Sequence, residues 1–408
     1  MKFYQGTNEL DKLNISILRV VGNFYPTKGG SVTHVIELSK QIQSIVKSQM
    51  IFCPDEGDYQ NFDSSFCVPI KRIKSKLLKK PTILKIPCIG IINDFYYSVN
   101  IVTGIKNLIN QSYLVNVIHV HDFYLGQSLV LLLKIYKIEI PLIIMQHGSP
   151  TELGNTTVRA SIMRCILLLS INYLKPSYYL QLDDGQVNDH FMKKLNDNKI
   201  RNKIVHHAID TEFYKPNKEI NSITKFIILS NNRLDSFKRV DLTILAYEKF
   251  LTMIDSTENV LLILNGSGYM SKKLKKIVKD KKLENFVVFH GEKTIEEVKD
   301  DLAVADIVVG TSLISNMNRS MQEAMSCGKA IIIFDDKNTN NFFKNMDNSI
   351  VVSPGDIEDF ACKLKLLYEN KELRKQLGKS ARKTILKNRS WNFRLSEELE
   401  VYRNVLMK

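Results

Sequence analysis

The sequence predicts an α/β protein with two doubly wound domains, each built on a parallel sheet, that face each other across a cleft. Three observations predict this fold. Short branched-aliphatic strands alternate with longer amphipathic segments, the alternation runs twice along the chain, and 408 residues suit two domains, or one large one, at roughly 150 residues per domain. Nearly continuous apolar strands are typical of parallel sheets covered by helices on both faces. Such sheets bind ligands beyond the carboxyl ends of their strands, so functional residues are expected in the loops that follow strands.

The predicted strands form two series. The first series lies at Ile15–Val21, Val117–Val120 and Pro141–Met145, each a short apolar run bounded by polar turns. After Pro216 the pattern restarts, with strands predicted at residues 226–229, 260–264, 286–289, 307–309, 330–334 and 349–352. Helical patterns separate these strands. The two series divide near residues 213–221, so the domain boundary is expected there.

The composition is that of a globular protein with a positive charge. Apolar residues make up 44% and charged residues 25%, and the formal net charge is +14. This charge makes an anionic partner worth considering: nucleic acid, acidic lipid or a phosphorylated small molecule. The six cysteines form no CxxC pair, which favours a reduced, cytoplasmic chain over a disulfide framework or a zinc site. The sequence shows neither a signal peptide nor an apolar run of the ~20 residues that span a bilayer.

Basic residues cluster in three segments, Lys71–Lys80, Lys193–Lys203 and Lys272–Lys282. Each can be an ordinary solvated helix face. The alternative for the first two clusters, Lys71–Lys80 and Lys193–Lys203, is that they help the amino-terminal domain to rest on an anionic membrane surface, at about 1 kcal/mol per cation. Specific nucleic-acid binding is disfavoured, because no basic run is interleaved with the stacking aromatic residues of a recognised module.

The first candidate site is the loop after the first strand, Gly22–Ser31, which contains Gly29 and Gly30. A glycine pair at the start of a helix lets backbone N–H groups approach a ligand closely, and the helix dipole favours an anion there. A plain tight turn between strand and helix would use the same residues. The pattern is neither a GxGxxG motif nor a P-loop, so both interpretations stay open.

The second candidate site is the segment Ser230–Arg239, directly after the first strand of the second series. Arg233 and Lys238 lie five residues apart on this strand-to-helix loop, where two cations can converge on one pair of phosphates. Arginine supplies a planar fork of donors and lysine a compact point charge. The alternative is a solvated pair of surface cations.

The third candidate site is the segment Thr311–Gly328. A strand ends at Val309, polar residues fill the loop, and a helix is predicted from Arg319 until Gly328 ends it. Glu323 falls in the first turns of that helix. A carboxylate there can cap or pack, or it can accept hydrogen bonds from a ribose.

Together these motifs point to a known family. The matching residues are, in chain order, Gly29-Gly30 with His34 and Glu37-Leu38, His147-Gly148, Ala208-Ile209-Asp210 with Phe213 and Pro216, Arg233 with Lys238, Asn265-Gly266-Ser267-Gly268, Val288–Gly291, Glu323–Gly328 and Ser390-Trp391. Each match is weak alone. In this order and at these separations, the chain resembles the retaining GT-B glycosyltransferases of glycosyltransferase family 4 over nearly its full length.

The resemblance implies two Rossmann-like domains with different ligands. Residues 1–215 would form the acceptor domain, completed by a C-terminal helix at 391–408, and residues 216–390 would bind the sugar nucleotide. The implied reaction is transfer of a sugar from a nucleotide-sugar donor to a glycan or lipid-linked acceptor with retention, in the synthesis of a surface polysaccharide or glycoconjugate. No bound metal and no cofactor are implied.

The resemblance also assigns roles to residues. Arg233 and Lys238 match the pair that grips the diphosphate and, with His147, are the expected catalytic residues. Glu323 matches a glutamate that contacts the nucleotide ribose. The other expected donor-binding residues are Gly29, Gly30, Gly266, Gly291, Ser315, Asn316, Met317 and Asn318. The chain departs from the family at one position, because the family's first glutamate would fall at Ser315, and a serine brings no negative charge to a developing oxocarbenium ion.

The chemistry of the leaving group supports this assignment. Breaking a glycosyl–phosphate bond leaves negative charge on the diphosphate, and a site without a metal must neutralise that charge with fixed cations, helix N-termini and amides. Two phosphates need about two positive charges, and Arg233 with Lys238 supplies them.

Histidines follow two strands of the first series. His147 matches a family histidine that approaches the donor sugar, although a lone histidine is more often structural. His119, His121 and Asp122 follow another strand, and His121 and Asp122 are expected on the acceptor side. A zinc site there would need a third ligand, which cannot be identified in the sequence.

Two other functions compete with transfer. Ser315 motivates a catalytically silent GT-B protein that binds a ligand or partner as a scaffold. The net charge alone motivates a nucleic-acid binder.

Overall fold

The computed structural model of the chain describes residues 12–27, 30–76, 88–147, 173–183, 189–217, 225–312, 315–337 and 342–407. These residues divide into two compact units. The described residues of unit 1 fall within Met1–Asp183, Val187–Val205 and Arg394–Lys408, and those of unit 2 fall within His206–Phe393.

Unit 1 contains a seven-stranded sheet in the order β3-β2-β1-β4-β5-β6-β7. Its strands are β1 (Leu13–Val20), β2 (Val46–Pro54), β3 (Ile70–Ile73), β4 (Val117–Val120), β5 (Leu142–His147), β6 (Tyr178–Asp183) and β7 (Asn202–His206). At its centre, β1 is parallel to both β2 and β4. The direction of strand order reverses beside β1, as it does in doubly wound sheets.

Unit 2 contains a six-stranded sheet in the order β10-β9-β8-β11-β12-β13. Its strands are β8 (Phe226–Asn231), β9 (Val260–Asn265), β10 (Val287–Gly291), β11 (Ile307–Gly310), β12 (Ala330–Phe334) and β13 (Ile350–Val352). Every pairing in this sheet is parallel. The prediction of two doubly wound, parallel-sheet α/β domains is confirmed.

Helices connect the strands in both units. In chain order they are α1 (Gly30–Ile42), α2 (Gln60–Ser65), α3 (Cys88–Asn110), α4 (Phe123–Ile135), α5 (Asp189–Asp197), α6 (Val240–Leu251), α7 (Ser271–Asp280), α8 (Ile295–Val304), α9 (Arg319–Ser326), α10 (Ile357–Glu369), α11 (Lys371–Asn388) and α12 (Trp391–Leu406). Within the described ranges, no helix is long and apolar enough to cross a membrane.

Both faces of the second sheet are covered by apolar side chains. In β8, Ile228 packs into one hydrophobic cluster, whereas Ile227 and Leu229 pack into the cluster on the other face. This two-sided burial explains why the strands of unit 2 are runs of mostly apolar residues that could be predicted from the sequence.

The first sheet has one apolar face and one face with a polar centre. Leu18 and Val20 pack with the apolar cluster, but Arg19, between them on β1, faces the other way and is fully buried. His119 of β4 is likewise fully buried. The C-terminal helix α12 contributes Glu398 to this face, within 3.6 Å of Arg19 and 3.0 Å of His119.

The unit boundary lies ten residues before the expected position of 215/216, at Val205. The residues between these positions are tied to unit 2 by hydrogen bonds. Ile209 N donates to Arg389 O over 2.8 Å, and Ser326 Oγ donates to Tyr214 O over 2.5 Å. The ligand assigned to each domain stays a prediction.

Candidate functional site

The loops that follow β8, β9 and β10 are joined by backbone hydrogen bonds at the carboxyl edge of the second sheet. Leu234 N donates to Ser267 O over 2.9 Å, and Gly266 N donates to Gly291 O over 2.6 Å. Met270 N donates to Leu234 O over 3.0 Å. The loop that carries Arg233 is therefore fixed by its neighbours.

Two glycines make this close packing possible. Gly266 has a φ of 113°, and a Cβ atom at this position would overlap the carbonyl oxygen of Asn232. A Cβ atom on Gly268 would overlap the carbonyl group of Leu234. The Asn265–Gly268 motif therefore lets two backbone segments touch, which is a structural reason for its glycines. Gly291 also has a positive φ, of 74°, but has open space around its Cα.

Arg233 and Lys238 approach the same aromatic ring. The Arg233 guanidinium carbon lies 5.3 Å and the Lys238 ammonium 5.5 Å from the ring centroid of Phe237. The Arg233 side chain is 71% exposed, and its Nε lies 3.4 Å from Asp235, whose side chain is largely buried. The structure therefore brings the two predicted cations together at the carboxyl end of β8 and leaves Arg233 accessible to a ligand.

The turn that carries Lys238 is held by the loop after β11. Residues Ser236–Lys238 form a single 3₁₀ turn, and Arg239 then adopts a left-handed conformation with a φ of 49°. Thr311 Oγ1 lies 2.9 Å from Arg239 O and 2.8 Å from Thr243 Oγ1. Ser312 Oγ donates to Phe237 O over 3.3 Å. These contacts order the backbone on both sides of Lys238.

The side chain of Asn316 makes hydrogen bonds inside the loop that follows β11. Its side-chain nitrogen donates to Ser312 O and Phe334 O, each over 2.8 Å, and its side-chain oxygen accepts from Ser312 N over 3.2 Å. Its backbone N–H donates to Asp336 over 2.6 Å. Because Asn316 is fully buried and its amide is used inside the loop, its side chain orders this loop, and its place among the donor-binding residues stays a prediction.

Met317 also packs inward, in the apolar cluster between the sheet and α9. Asn318 is the N-cap of α9, where its side-chain oxygen accepts from Met321 N over 3.1 Å. Its side-chain nitrogen is buried without a hydrogen-bond partner among the described residues. Ser315 is buried, and its Oγ accepts from Met317 N over 3.2 Å. Met317 therefore packs in the core, and the donor-binding roles predicted for Ser315, Met317 and Asn318 stay predictions.

Glu323 lies on the second turn of α9 and is buried to all but 6% of its surface. Arg319, one turn earlier, donates from Nε to Glu323 Oε1 over 2.7 Å. This ion pair fixes the orientation of the carboxylate at the start of the helix. The contact of Glu323 with a ribose stays a prediction.

Unit 1 has a small polar pocket at the carboxyl ends of β1, β4 and β5, which we call the histidine pocket. Its volume is about 160 Å³, and it is lined by Val21, Gly22, Asn23, Ser31, Val35, His121, Asp122, Gln146 and His147. His121 and His147 have ring centroids 5.9 Å apart. The structure therefore brings together the three residues His121, Asp122 and His147 that the sequence singled out.

The environment of this pocket keeps both imidazoles neutral. Burial, with the nearby Arg394 guanidinium, lowers the pKa of His147 to about 4. Burial, with His119 and Arg19, lowers the pKa of His121 well below its usual value. Burial raises the pKa of Asp122. The hydrogen bond that its carboxylate accepts from Leu125 N acts in the opposite direction, but the net effect is an increase in the pKa. Neutral imidazoles can donate one hydrogen bond and accept another, as the recognition of hydroxyl groups requires.

The glycine pair at residues 29 and 30 is described only in part. Gly29 and Gly148 lie outside the described residues. Gly30 is the first residue of α1, and a Cβ atom there would have no neighbour within 4 Å. Ser31, the next residue, lines the histidine pocket.

A second pocket of unit 1, the acidic pocket, adjoins the histidine pocket through Gly22, Asn23 and Asp122, which line both. Its volume is about 380 Å³, and the rest of its lining is Pro54, Glu56, Ser75, Lys76, Asn93, Asp94, Tyr97, Tyr124 and Leu125. Its charged side chains are three carboxylates and one ammonium group, and Lys76 is itself 2.8 Å from Glu56. This pocket could not be predicted from the sequence, because its lining comes from five separate stretches of the chain.

The basic segment Lys71–Lys80 is described as far as Lys76, and residues 77–80 lie outside the described ranges. Two of its cations have carboxylate partners. Arg72 pairs with Asp63 over 2.6 Å, and Lys76 pairs with Glu56. Lys74 is exposed. Half of the described positive charge is therefore paired within the protein.

Across the described ranges, no group of three or more His, Cys, Asp or Glu side chains is arranged to hold a metal ion.

The carboxyl-terminal unit matches a known family. Residues 211–384 match the family model described as Glycosyl transferases group 1, so unit 2 carries a domain of that group. An uncharacterised glycosyltransferase of Methanocaldococcus jannaschii is 23% identical over 406 residues, which cover 96% of this chain and 99% of that protein. The poly(ribitol-phosphate) alpha-N-acetylglucosaminyltransferase of Staphylococcus aureus is 28% identical over 185 residues, 44% of this chain and 36% of its own length.

The fold of the whole chain has relatives among solved structures. HepE of Anabaena, in complex with UDP and glucose, superposes with a TM-score of 0.71 at 15% sequence identity, covering 95% of this chain and 99% of HepE. The two parallel-sheet units are therefore those of the GT-B fold.

Proposed function

We propose that this chain, whose residues 211–384 form a Glycosyl transferases group 1 domain, is a glycosyltransferase that moves a sugar from a nucleotide-sugar donor to a glycan or lipid-linked acceptor. A glycosyltransferase that aligns with 96% of the chain supports transferase activity. The structural likeness to HepE, which was crystallised with UDP and glucose, supports a nucleotide sugar as the donor. Retention of anomeric configuration and independence of a bound metal are part of the proposal and follow from the family resemblance.

The observation that carries the proposal is the position of Arg233 and Lys238. Both cations lie on the loop that follows β8, inside the matched domain, and both approach the Phe237 ring. A diphosphate bound there would meet a forked guanidinium and a compact ammonium group. Because these charges are held in place before the reaction, they would stabilise the leaving group as the glycosyl bond breaks.

The donor would extend from this turn toward α9. Glu323 is held by Arg319 near the amino end of that helix, where its carboxylate would accept hydrogen bonds from the ribose hydroxyls. The buried side-chain nitrogen of Asn318 would donate to the sugar or to a phosphate. Gly266 and Gly291 would act by shaping the loops.

Unit 1 would supply the groups that bind sugar hydroxyls. His147, with its pKa lowered to about 4, would act as a neutral hydrogen-bonding group toward the donor sugar. The acidic pocket would bind the acceptor. Because three of the four charged groups in its lining are carboxylates, a neutral or amine-bearing glycan is favoured there over a phosphorylated one. This preference would distinguish the chain from the poly(ribitol-phosphate) relative.

The test is a transfer assay with a panel of nucleotide sugars, in EDTA and in Mg²⁺. Each donor is combined with a neutral glycoside, a lipid-linked glycan and a phosphorylated polyol, and nucleotide release and the anomeric configuration of the product are measured. We expect one donor to be turned over equally in EDTA and in Mg²⁺, with a neutral glycan as the better acceptor and with retention. Binding of a donor without turnover against any acceptor would contradict the proposal and favour the catalytically silent alternative. Turnover that requires Mg²⁺ would contradict the metal-independent part alone.

A further inference from the structure

A buried polar network lies beneath the histidine pocket, and none of the roles assigned above uses it. Arg19 occupies its centre on β1. Its Nη1 lies 3.2 Å from His121 Nε2 and 3.6 Å from Glu398 Oε1, and its Nε donates to Gln49 Oε1 over 3.3 Å. The side chains of Arg19 and Glu398 have no exposed surface. Four parts of the chain thus meet at one guanidinium: β1, β2, the end of β4 and α12.

The carboxylate of Glu398 fixes the protonation of His119. Glu398 Oε1 lies 3.0 Å from His119 Nδ1 and accepts a hydrogen bond from the Tyr402 hydroxyl over 2.7 Å. Its other oxygen lies 2.6 Å from Arg394 Nη2. Since the arginines hold the pKa of Glu398 well below its usual value, this group is a carboxylate and can only accept. His119 Nδ1 must therefore carry a hydrogen and donate it to Glu398.

This assignment leaves His121 as the imidazole that accepts from Arg19. Arg19 Nη1 also lies 3.3 Å from His119 Nδ1, but a protonated ring nitrogen cannot accept a hydrogen bond. A guanidinium only donates, so His121 Nε2 must be without a hydrogen. A neutral imidazole with a bare Nε2 carries its hydrogen on Nδ1.

The Nδ1–H of His121 has no acceptor within the described part of the protein. The atom is buried, and the whole residue is only 7% exposed. The groups that face His121 from the packed elements are Arg19, His119, His147 and His34. His121 lines the histidine pocket beside Asp122. A buried donor without a partner, in a side chain that lines a pocket, points to a ligand that supplies the acceptor.

We propose that Arg19, held by Glu398 and Gln49, is a positioning residue that fixes His121 in its Nδ1–H form, so that His121 donates a hydrogen bond to a sugar hydroxyl in the histidine pocket. The ligand class rests on the proposed function; the tautomer does not. A hydroxyl oxygen can accept from His121 and at the same time donate its own hydrogen to the Asp122 carboxylate. A phosphate oxygen can only accept, and it would lie against that carboxylate.

The tautomer is measured directly by ¹⁵N NMR of the histidine side chains in the full chain without ligand. We expect the wild-type His121 signals to show a protonated Nδ1 and a bare Nε2 at neutral pH. In Arg19→Met, which removes the donor at similar size, we expect the Nε2–H form to become populated. Arg19→Lys retains a cationic donor and should retain more of the Nδ1–H form. Arg72→Met, a matched loss of a paired arginine on β3, should leave the His121 signals unchanged.

A wild-type His121 with hydrogen on Nε2 would overturn the proposal, even if no variant folds. The role in sugar binding is tested by measuring kcat/KM with the nucleotide sugar that is turned over best in the transfer assay. We expect Arg19→Met to lower kcat/KM by about tenfold, the effect of one lost hydrogen bond to a neutral group, with Arg19→Lys restoring part of it. An unchanged kcat/KM alongside an altered tautomer would contradict the role in sugar binding. Absence of any transferase activity in wild type would count against the proposed function and leave the tautomer result standing.

Discussion

The α-carbon of Gly266 packs directly against the carbonyl oxygen of Asn232, so that no side chain fits between the loops after β8 and β9. Gly266 N also donates to Gly291 O, which ties in the loop after β10. The position of Arg233, the residue after Asn232, therefore depends on a glycine 33 residues away in the sequence.

Gly266→Ala is expected to destabilise unit 2 and to displace the Arg233 loop. The left-handed φ alone costs a non-glycine residue about 1–2 kcal/mol, and the overlap with Asn232 adds to that cost. The matched control is Gly355→Ala, which has a φ of 77° but open space around it. Chemical unfolding should show a clearly larger loss for Gly266→Ala than for Gly355→Ala. Equal losses would contradict the close packing described here.

Arg233→Ala and Lys238→Ala are each expected to lower turnover by about 10²-fold, the usual effect of deleting one preorganised group that stabilises transition-state charge. Arg233 is exposed and Lys238 is half-buried, and neither lies in a hydrophobic core cluster, so the melting temperatures of the two variants should stay close to that of wild type. Lys273→Ala, on the exposed face of α7, is the control for loss of a surface cation. Near wild-type turnover in both site variants would rule out the diphosphate role.

The histidine pocket predicts that the protein loses stability as the pH falls below about 6.5. The pKa of His147 is lowered to about 4 in the folded protein, whereas an unfolded histidine titrates near 6.5. Between these values the unfolded chain binds more protons, so the free energy of unfolding rises with pH, by up to about 1.4 kcal/mol per pH unit for each such histidine. The pKa of His121 is also lowered in the folded protein, so His121 likewise makes the free energy of unfolding rise with pH.

Chemical unfolding at pH 7.5 and pH 5.5 measures this effect. We expect His147→Asn to reduce the difference between the two values, and His290→Asn, on β10 in the other unit, to retain it. A free energy of unfolding that does not change between the two pH values would contradict the burial of neutral imidazoles. Glu398, whose pKa is lowered, loses its stabilising charge only at more acidic pH and does not interfere.

The basic segment Lys71–Lys80 predicts binding to vesicles that contain anionic lipid. Because Arg72 and Lys76 are paired with carboxylates, the effect among the described cations depends on the exposed Lys74 and its neighbour Lys71. Replacing both by glutamate should weaken co-sedimentation, and added salt should do the same. The control is Lys272→Glu with Lys273→Glu in unit 2. Equal binding to neutral vesicles would argue against an electrostatic membrane contact.

The sequence predicted those features whose signal is local. The strands of unit 2 could be predicted because burial on both faces makes them nearly continuous apolar runs, and Arg233 with Lys238 stood out because both lie on one short loop. The loop from Ser315 to Asn318 was harder. The side-chain nitrogen of Asn316 donates to the backbone oxygens of Ser312 and Phe334, and nothing in the sequence marks these partners.

The buried network of unit 1 could not be predicted, because its members are distant in sequence. Arg19 and His119 are 100 residues apart, and His119 and Tyr402 are 283 residues apart. In the sequence, Glu398 is one of several carboxylates on an amphipathic helix. One signal was present, an arginine in the middle of the apolar first strand, where a charge needs buried partners.

The central claim is that Arg233 and Lys238 bind the diphosphate of a nucleotide sugar without a metal. The most direct measurement is the melting temperature of wild type and of the Arg233→Ala/Lys238→Ala double variant against a panel of nucleotide sugars in EDTA. We predict that at least one nucleotide sugar raises the melting temperature of wild type and fails to raise that of the double variant. A panel that leaves wild type unchanged, or that stabilises both proteins equally, would contradict the claim.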